Sequence, residues 1–140
     1  DGKEFFYEGF ETDQSLINVN SFAGRGCYIG DYTVQFNPTT GSNYVIDYRY
    51  LLSNKWIFVK KPYVSGMTLS EGGAIDEIRI YPTNSQMTTY TYDKVAGMTS
   101  KIDHSGKAEI YQYDNLQRLI RILDQDHNLL KTFDYNYINK

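Results

Sequence analysis

Few residues of this chain have side chains that could carry out catalysis. There are two histidines, His104 and His127, and a single cysteine, Cys27, which lies between Gly26 and Tyr28. A nucleophile requires a base and an orienting acid in a defined mutual geometry, and no local feature suggests that the Cys27 thiol is activated. Both histidines occupy positions that are typical of turns. The pattern favours a small cysteine in a turn or core position over a catalytic Cys-His pair.

Paired carboxylates could provide general acid and base groups, and Asp76 and Glu77 are adjacent in the chain. Neighbouring residues of a strand point to opposite faces, so we expect that these two acids do not converge on one bond. The sequence contains no Gly-x-Ser-x-Gly elbow, His-Glu-x-x-His helix or phosphate-binding loop. A glycosidase with two carboxylates across a cleft is the remaining enzymatic alternative. We therefore expect that the protein is not an enzyme.

Aromatic residues could bind a ligand, because sugar-binding surfaces place flat rings against pyranoses while Asp, Arg or Asn side chains orient the hydroxyls. In the segment from Tyr44 to Leu51, alternation puts Tyr44, Ile46, Tyr48 and Tyr50 on one face and Val45, Asp47, Arg49 and Leu51 on the other. The candidate glycan-binding residues are Trp56, Tyr48, Tyr50, Tyr63 and Arg49. The alternative is that the same rings form an ordinary sandwich core.

The elements that must position these residues include a block that repeats near the C-terminus. The pattern of this block is Tyr-Asp, followed by a further Asp and then by Gly or a substitute. It begins at Tyr92 and begins again 21 residues later at Tyr113. Each copy alternates at period two and breaks at turns, so each copy predicts a pair of short strands. The repeat positions that we single out as structural are Tyr92, Asp93, Gly97, Asp103, Gly106, Tyr111, Tyr113, Asp114, Arg118 and Asp124.

This block resembles the YD repeat of bacterial Rhs-type surface proteins, over Gln86 to Tyr137. The second copy departs from the pattern, with Gln117 in place of the first Gly and His127 in place of the second. If the motif is structural, Tyr92 and Tyr113 should be buried, and Asp93 and Asp114 should accept turn hydrogen bonds. Asp103 to Gly106 should form a tight turn with Gly106 at positive φ. In the second copy we expect Asn128 to take that left-handed conformation.

The segment before Gln86 predicts about seven short strands separated by turns, which is typical of a sandwich or jelly roll. Leu52 to Lys55 is expected to be the four-residue loop of a hairpin. Tyr7 to Glu11, Ala23 to Tyr28 and Gly73 to Tyr81 resemble the pattern of carbohydrate-binding-module-like jelly rolls of the galactose-binding-like and laminin-G-like kinds. The expected fold class is all-β: an antiparallel β-sandwich (jelly roll) at residues 1–85, followed by a YD-repeat β-hairpin meander at 86–140.

The two resemblances imply further properties. In the jelly-roll families the first and last strands lie side by side and can share a structural Ca²⁺, which here would fall to Glu11 and Asp76. The alternative, without a metal, is that these two carboxylates accept hydrogen bonds from backbone N–H groups or from Lys side chains. No other cofactor is expected. The YD-repeat resemblance implies a piece of a larger cell-surface or secreted bacterial protein, with upstream repeats of the parent chain as neighbours.

Composition limits the partner classes. The 140-residue chain has a net charge of −3 and only one short basic cluster, so it lacks the clustered Lys and Arg of a nucleic-acid binder. No apolar run approaches the length of about 18 residues that a membrane span requires. We therefore expect a non-catalytic binding or scaffolding module with a glycan or a cell-surface molecule as its partner. A purely structural terminal cap and spacer of a repeat shell, without a ligand, is the alternative.

Overall fold

The computed structural model describes residues 4–13, 20–39 and 43–135, and all of its regular structure is β. Tyr137, the last residue of the repeat match, lies outside the described residues. Within the described part of the chain, no helix is long and apolar enough to cross a membrane. The strands are β1 (Phe6–Glu8), β2 (Tyr28–Ile29), β3 (Tyr32–Thr33), β4 (Tyr44–Leu52), β5 (Lys55–Pro62), β6 (Thr68–Leu69), β7 (Ala74–Pro82), β8 (Thr89–Asp93), β9 (Gly97–Ile102), β10 (Ala108–Tyr113), β11 (Leu119–Leu123) and β12 (Leu129–Thr132).

The strands form three antiparallel sheets. The central sheet has the order β1-β7-β4-β5, and β2 pairs with β7 as well. The repeat sheet has the order β12-β11-β10-β9-β8, so every strand of it pairs with its neighbours in sequence, and β3 and β6 form a small sheet. The expected all-β, sandwich-like architecture of antiparallel sheets is therefore confirmed.

The apolar core lies on one face of the central sheet. Tyr44, Ile46 and Tyr48 of β4 are buried there with Ile75, Ile78 and Ile80 of β7, and Leu69 of β6 packs against them.

The loop between β4 and β5 is shorter than expected: β4 runs to Leu52 and β5 starts at Lys55. Ser53 and Asn54 both have positive φ, of 52° and 63°. These angles are those of a two-residue type I′ turn, whose twist matches the twist of the paired strands.

All nine residues of β7 are buried, because the small sheet and nearby loops cover one face of the central sheet and the repeat sheet covers the other. The pairing of β4 with β7 is irregular: Asp47 faces Arg79, whereas Arg49 faces Asp76. The extra residue of β7 in this interval is a β-bulge, and Glu77 has a φ of 54°. The bulge lets Ile75 and Ile78 share the apolar face in spite of their spacing of three residues.

The expectation that Asp76 and Glu77 face apart is wrong for the same reason. Glu77 accepts a hydrogen bond from the hydroxyl of Tyr7 at 2.8 Å, and Tyr7 lies opposite Arg79 in the sheet register. The Asp76 carboxylate accepts hydrogen bonds from Phe22 N–H and Ala23 N–H, which belong to the loop beneath the repeat sheet. Both acids therefore lie between the central sheet and the repeat sheet, in a layer of buried polar side chains that we call the polar layer.

Three turns of the repeat sheet share one hydrogen-bonding pattern. Asp103, Asp114 and Asp124 each accept, on Oδ1, the backbone N–H groups two and four residues further on, at 2.8–3.0 Å. In each turn the residue three positions after the Asp has positive φ, as in the three-residue hairpin loop that combines a type I turn with a bulge. These residues are Gly106 (92°), Gln117 (63°) and His127 (62°). The Asp103–Gly106 turn is thus confirmed, but His127 and not Asn128 adopts the left-handed conformation.

The predicted burial of the repeat tyrosines is only partly correct. Tyr92 is 61% exposed, because β8 is the edge strand of the repeat sheet. Tyr113 is half-buried, and its hydroxyl donates to the carbonyl of Met98 at 2.6 Å. Asp93 does accept turn hydrogen bonds, from Val95 N–H at 2.8 Å and Ala96 N–H at 3.0 Å.

Candidate functional site

The five candidate glycan-binding residues do not come together in one place. Tyr48 is fully buried in the apolar core, and its hydroxyl donates to Glu71 at 2.5 Å. Tyr50 packs against the same core. The face of β4 that carries these tyrosines is therefore core, which is the alternative that the sequence pattern left open, and it provides no surface platform for a sugar.

Arg49 is also buried, so its side chain is not available to a ligand at the surface. Its guanidinium lies between the rings of Phe22, at 4.1 Å from the centroid, and Phe58, at 4.6 Å. One of its terminal nitrogens, Nη2, donates to the carbonyl of Gly106 in the repeat sheet. His127 stacks on Phe22 with ring centroids 5.4 Å apart, so a column of stacked groups joins the central sheet to a turn of the repeat sheet.

Trp56 lines a cleft at the junction of the two sheets, which we call the Trp56 cleft. It has a volume of about 310 Å³ and continues into a smaller cavity of about 180 Å³ that shares Asn54, Trp56 and His127. The indole Nε1–H donates to the carbonyl of Asn20 at 3.0 Å, which fixes the ring. Among the described residues, the further lining groups are Ser21, Leu51, Lys55, Gln125 and Asp126. An aromatic ring surrounded by amide side chains, one hydroxyl and two charged side chains is the composition expected of a site for a polar ligand.

Tyr63 lies at the other end of the hairpin that carries Trp56. It follows β5 directly, and its hydroxyl donates to the carbonyl of Phe36. It lines a separate groove together with Lys60 and Lys61. Trp56 and Tyr63 therefore cannot contact the same monosaccharide.

The residues that the sequence reasoning missed form the buried polar layer between the sheets. Arg79 donates to Asp47 through Nε at 2.8 Å and through Nη2 at 3.1 Å, and the Tyr81 hydroxyl donates to Asp47 at 2.8 Å. The remaining nitrogen of Arg79, Nη1, donates to carbonyls on the repeat-sheet side, those of Met87 at 3.2 Å and Ile102 at 3.0 Å. A signal was present, since charged residues alternate with apolar or aromatic ones from Ile46 to Tyr50 in β4 and from Glu77 to Ile80 in β7. Such alternation usually indicates a solvent-facing side.

The two acids with a proposed metal role are held by the loop at residues 20–27. Both carboxylate oxygens of Glu11 lie 2.9 Å from Arg25 N, and one lies 3.2 Å from Gly26 N. The Asp76 carboxylate accepts from Phe22 N–H and Ala23 N–H at 2.9 and 3.2 Å. Calcium requires six or more oxygen ligands, whereas this loop presents N–H donors to both acids. Within residues 4–13, 20–39 and 43–135, no group of three or more metal-ligating side chains is assembled.

Burial changes the acidity of this cluster. Desolvation raises the pKa of Glu77 to about 8, and the Tyr7 hydrogen bond and the charges of Arg49 and Arg79 only partly oppose it. Desolvation, reinforced by the neighbouring Glu77, also holds the pKa of Asp76 well above its usual range. The pair formed by Asp76 and Glu77 therefore retains a proton at neutral pH.

This retained proton predicts a pH dependence of stability. Because the folded state binds the Glu77 proton more tightly than the unfolded chain does, its stabilising contribution is complete below the unfolded pKa and is lost as the pH rises through the folded value. We expect the free energy of unfolding to fall by about 3 kcal/mol between about pH 5.5 and about pH 8.5. Urea unfolding at the two pH values measures this difference in the free energy of unfolding.

The matched variant is Glu77→Gln, which keeps an oxygen to accept the Tyr7 hydroxyl and does not titrate. This variant should unfold with a flatter pH profile and should be more stable than the wild type at the alkaline end. An identical pH slope in the two proteins would show that Glu77 does not hold the proton.

Cys27 is buried, and desolvation together with the charge of Asp76 raises the pKa of its thiol to about 11. A thiol with a raised pKa is a poor nucleophile at neutral pH. The ring of His127 is engaged elsewhere, since its Nε2 lies 3.0 Å from the carbonyl oxygen of Phe22. This geometry indicates that Cys27 serves as a small buried residue of the core.

No family model matches this chain, and no curated protein or solved structure matches it significantly.

Proposed function

We propose that this chain is a non-catalytic binding and scaffolding module of a cell-surface or secreted bacterial YD-repeat protein, and that its ligand is a glycan bound in the Trp56 cleft. The observation that carries the glycan assignment is the composition of that cleft. Trp56, fixed by its hydrogen bond to Asn20, stands beside the side chains of Asn54, Gln125 and His127. The volume of about 310 Å³ lies at the lower end of the range for small-molecule sites.

The regularity of the repeat sheet supports the YD-repeat assignment. Tyr113 donates its hydroxyl to the carbonyl of Met98, and Tyr135, which follows 22 residues later, donates to the carbonyl of Leu119 at 2.8 Å. The motif residue Arg118 pairs with Asp114 at 2.9 Å and lies over the ring of Tyr135. Residues of the sequence motif thus make equivalent contacts in successive copies, as expected of a repeat whose motif is structural.

A glycan array with three proteins tests the binding function. The wild type should bind a subset of neutral glycans, and Trp56→Ala should lose that binding, because the indole ring is removed and the imidazole of His127 is the aromatic ring that remains among the described lining residues. The matched control is Tyr92→Ala, which removes an exposed ring of the repeat sheet that lies outside the cleft. Equal binding of neutral glycans by wild type and Trp56→Ala would contradict the site. Absence of binding to every glycan would favour the second candidate.

The second candidate function is a structural cap and spacer of a repeat shell. The buried layer between the sheets favours it, because Arg79 and Arg49 tie carbonyls of the repeat-sheet segment to the central sheet. The central sheet of residues 6–82 and the repeat sheet of residues 89–132 would then resist protease as one body. Limited proteolysis that releases a folded fragment of residues 1–85 and a degraded tail would argue against a rigid spacer.

The calcium hypothesis for Glu11 and Asp76 has a direct test. If these acids bind Ca²⁺ in the folded state, chelation with EDTA should lower the melting temperature, because a ligand that binds only the folded protein stabilises it by mass action. The N–H groups that already face both carboxylates lead us to expect an unchanged melting curve. The control is Glu11→Gln, which removes the carboxylate charge that a metal would need but keeps a side-chain oxygen that can accept the loop hydrogen bonds. A melting temperature that falls on chelation in the wild type but not in this variant would establish the metal.

A further inference from the structure

A second groove lies at the end of the β4–β5 hairpin opposite to the Trp56 cleft. Its volume is about 610 Å³, and we call it the Lys60 groove. Its described lining comprises Tyr44 and Val45 of β4, Lys60, Lys61 and Pro62 of β5, Tyr63, and the polar residues Asn43, Ser65 and Thr83, with Pro38 at the rim. It shares no lining residue with the Trp56 cleft.

The charge of this groove is opposite to that of the chain. The protein has a net charge of −3, yet the described lining residues include two lysines and no acid. The ammonium of Lys61 pairs with Glu71 at 2.8 Å. Lys60 is exposed, makes no ion pair with any described residue, and has its ammonium 5.7 Å from the centroid of the Tyr81 ring. An ammonium without a carboxylate partner, beside a concave surface, attracts an anion.

The rest of the lining limits the shape of that anion. Tyr44, Val45, Pro62 and Tyr63 give the groove apolar walls, which suit the apolar face of a pyranose ring. The hydroxyl of Thr83 donates to the carbonyl of Asn43 at 3.0 Å, so its oxygen can still accept a hydrogen bond from a ligand hydroxyl. A nucleic acid would require an extended basic track, and two lysines do not provide one.

We propose that the Lys60 groove binds an acidic sugar, a pyranose that carries a carboxylate, with the ammonium of Lys60 facing the carboxylate. The ring then lies against the apolar wall, and hydroxyls of the sugar meet the polar groups at the rim. The two lysines are neighbours in β5 and so start on opposite faces of the strand, but β5 is the edge strand of the central sheet and both residues line the groove at this edge. This groove is independent of the glycan assignment made for the Trp56 cleft.

Isothermal titration with tetragalacturonate tests the proposal, and its fully methyl-esterified form is the neutral control with the same rings. The wild type should bind the acid, with an affinity that falls as salt is added, and should bind the ester much more weakly. Lys60→Gln should weaken binding of the acid about three- to fivefold, the effect expected when one partly exposed charge pair is removed. Lys94→Gln removes an equal charge from the exposed β8–β9 turn and should leave binding unchanged.

The variant Trp56→Ala separates this site from the Trp56 cleft. Trp56→Ala should bind tetragalacturonate like the wild type, whereas it should lose the ligands of its own cleft. The proposal is overturned if the wild type does not bind the acid, if acid and ester bind equally, or if Lys60→Gln and Lys94→Gln behave alike. Loss of tetragalacturonate binding in Trp56→Ala would also overturn it, since that result would place the acidic sugar in the other cleft.

Discussion

Arg79→Leu is expected to destabilise the protein by about 3–5 kcal/mol, which is the usual cost of breaking a buried ion pair by removing one partner. Arg79 and Asp47 are each about 1% exposed, and Arg79 also donates to the carbonyls of Met87 and Ile102. The substitution leaves the Asp47 charge buried with the Tyr81 hydroxyl as its remaining hydrogen-bond donor among the described side chains. Urea unfolding followed by circular dichroism measures the loss.

The control for this prediction is an exposed ion pair. Lys61→Met removes the pair with Glu71, whose two side chains are 33% and 31% exposed, and should cost about 1 kcal/mol or less. The double variant Asp47→Leu with Arg79→Leu should recover part of the stability lost in Arg79→Leu, because no unpaired buried charge remains. If Arg79→Leu costs no more than Lys61→Met, the polar layer does not hold the sheets together.

Gly106→Val is expected to cost about 3 kcal/mol, because two effects add at this position. Gly106 has a φ of 92°, which strains any residue with a β-carbon, and a Cβ there would lie 2.7 Å from the Phe58 ring. Phe58 also stacks on the guanidinium of Arg49, which donates to the Gly106 carbonyl, so the ring cannot move without disturbing the junction. Thermal and urea denaturation both report the change.

Gly97→Val provides the matched control, since Gly97 has a similar φ of 105° and a Cβ there would meet nothing within 4 Å. This variant should show the backbone strain alone, at about 1 kcal/mol. A loss at Gly106 equal to the loss at Gly97 would show that Phe58 yields easily and that the turn is not packed against the central sheet. A wild-type melting curve for Gly106→Val would contradict the turn assignment itself.

The repeat block shows how far local chemistry could be predicted. Asp103 and Gly106 are a turn acceptor and a residue free to take positive φ, and both roles depend on residues within one turn. The same reasoning failed at Asn128, because it considered only the intrinsic tolerance for the left-handed region. His127 takes that conformation instead, and its ring stacks on Phe22, a contact across 105 positions of the chain that no local rule could supply.

The face assignment of β4 shows a second limit. Alternation correctly separated Tyr44, Ile46 and Tyr48 from Asp47 and Arg49, because successive side chains of a strand point to opposite faces. Periodicity cannot state what covers each face. The charged face could be taken for a solvent-facing or ligand-facing side, yet Asp47 and Arg49 are 1% and 3% exposed because the repeat sheet lies over them.

By itself the sequence determined the features that depend on neighbours along the chain: the β class, the alternation of faces and the Asp-centred turns of the repeat sheet. The tertiary structure alone decided which faces are covered. It buried Tyr48 and Arg49, joined Asp47 to Arg79, brought Asp76 and Glu77 into one layer through a bulge, and separated Trp56 from Tyr63 at opposite ends of one hairpin. The physical reason is that backbone geometry and turn chemistry act within a few residues, whereas burial, ion pairing and pKa depend on segments that meet only after the sheets have packed together.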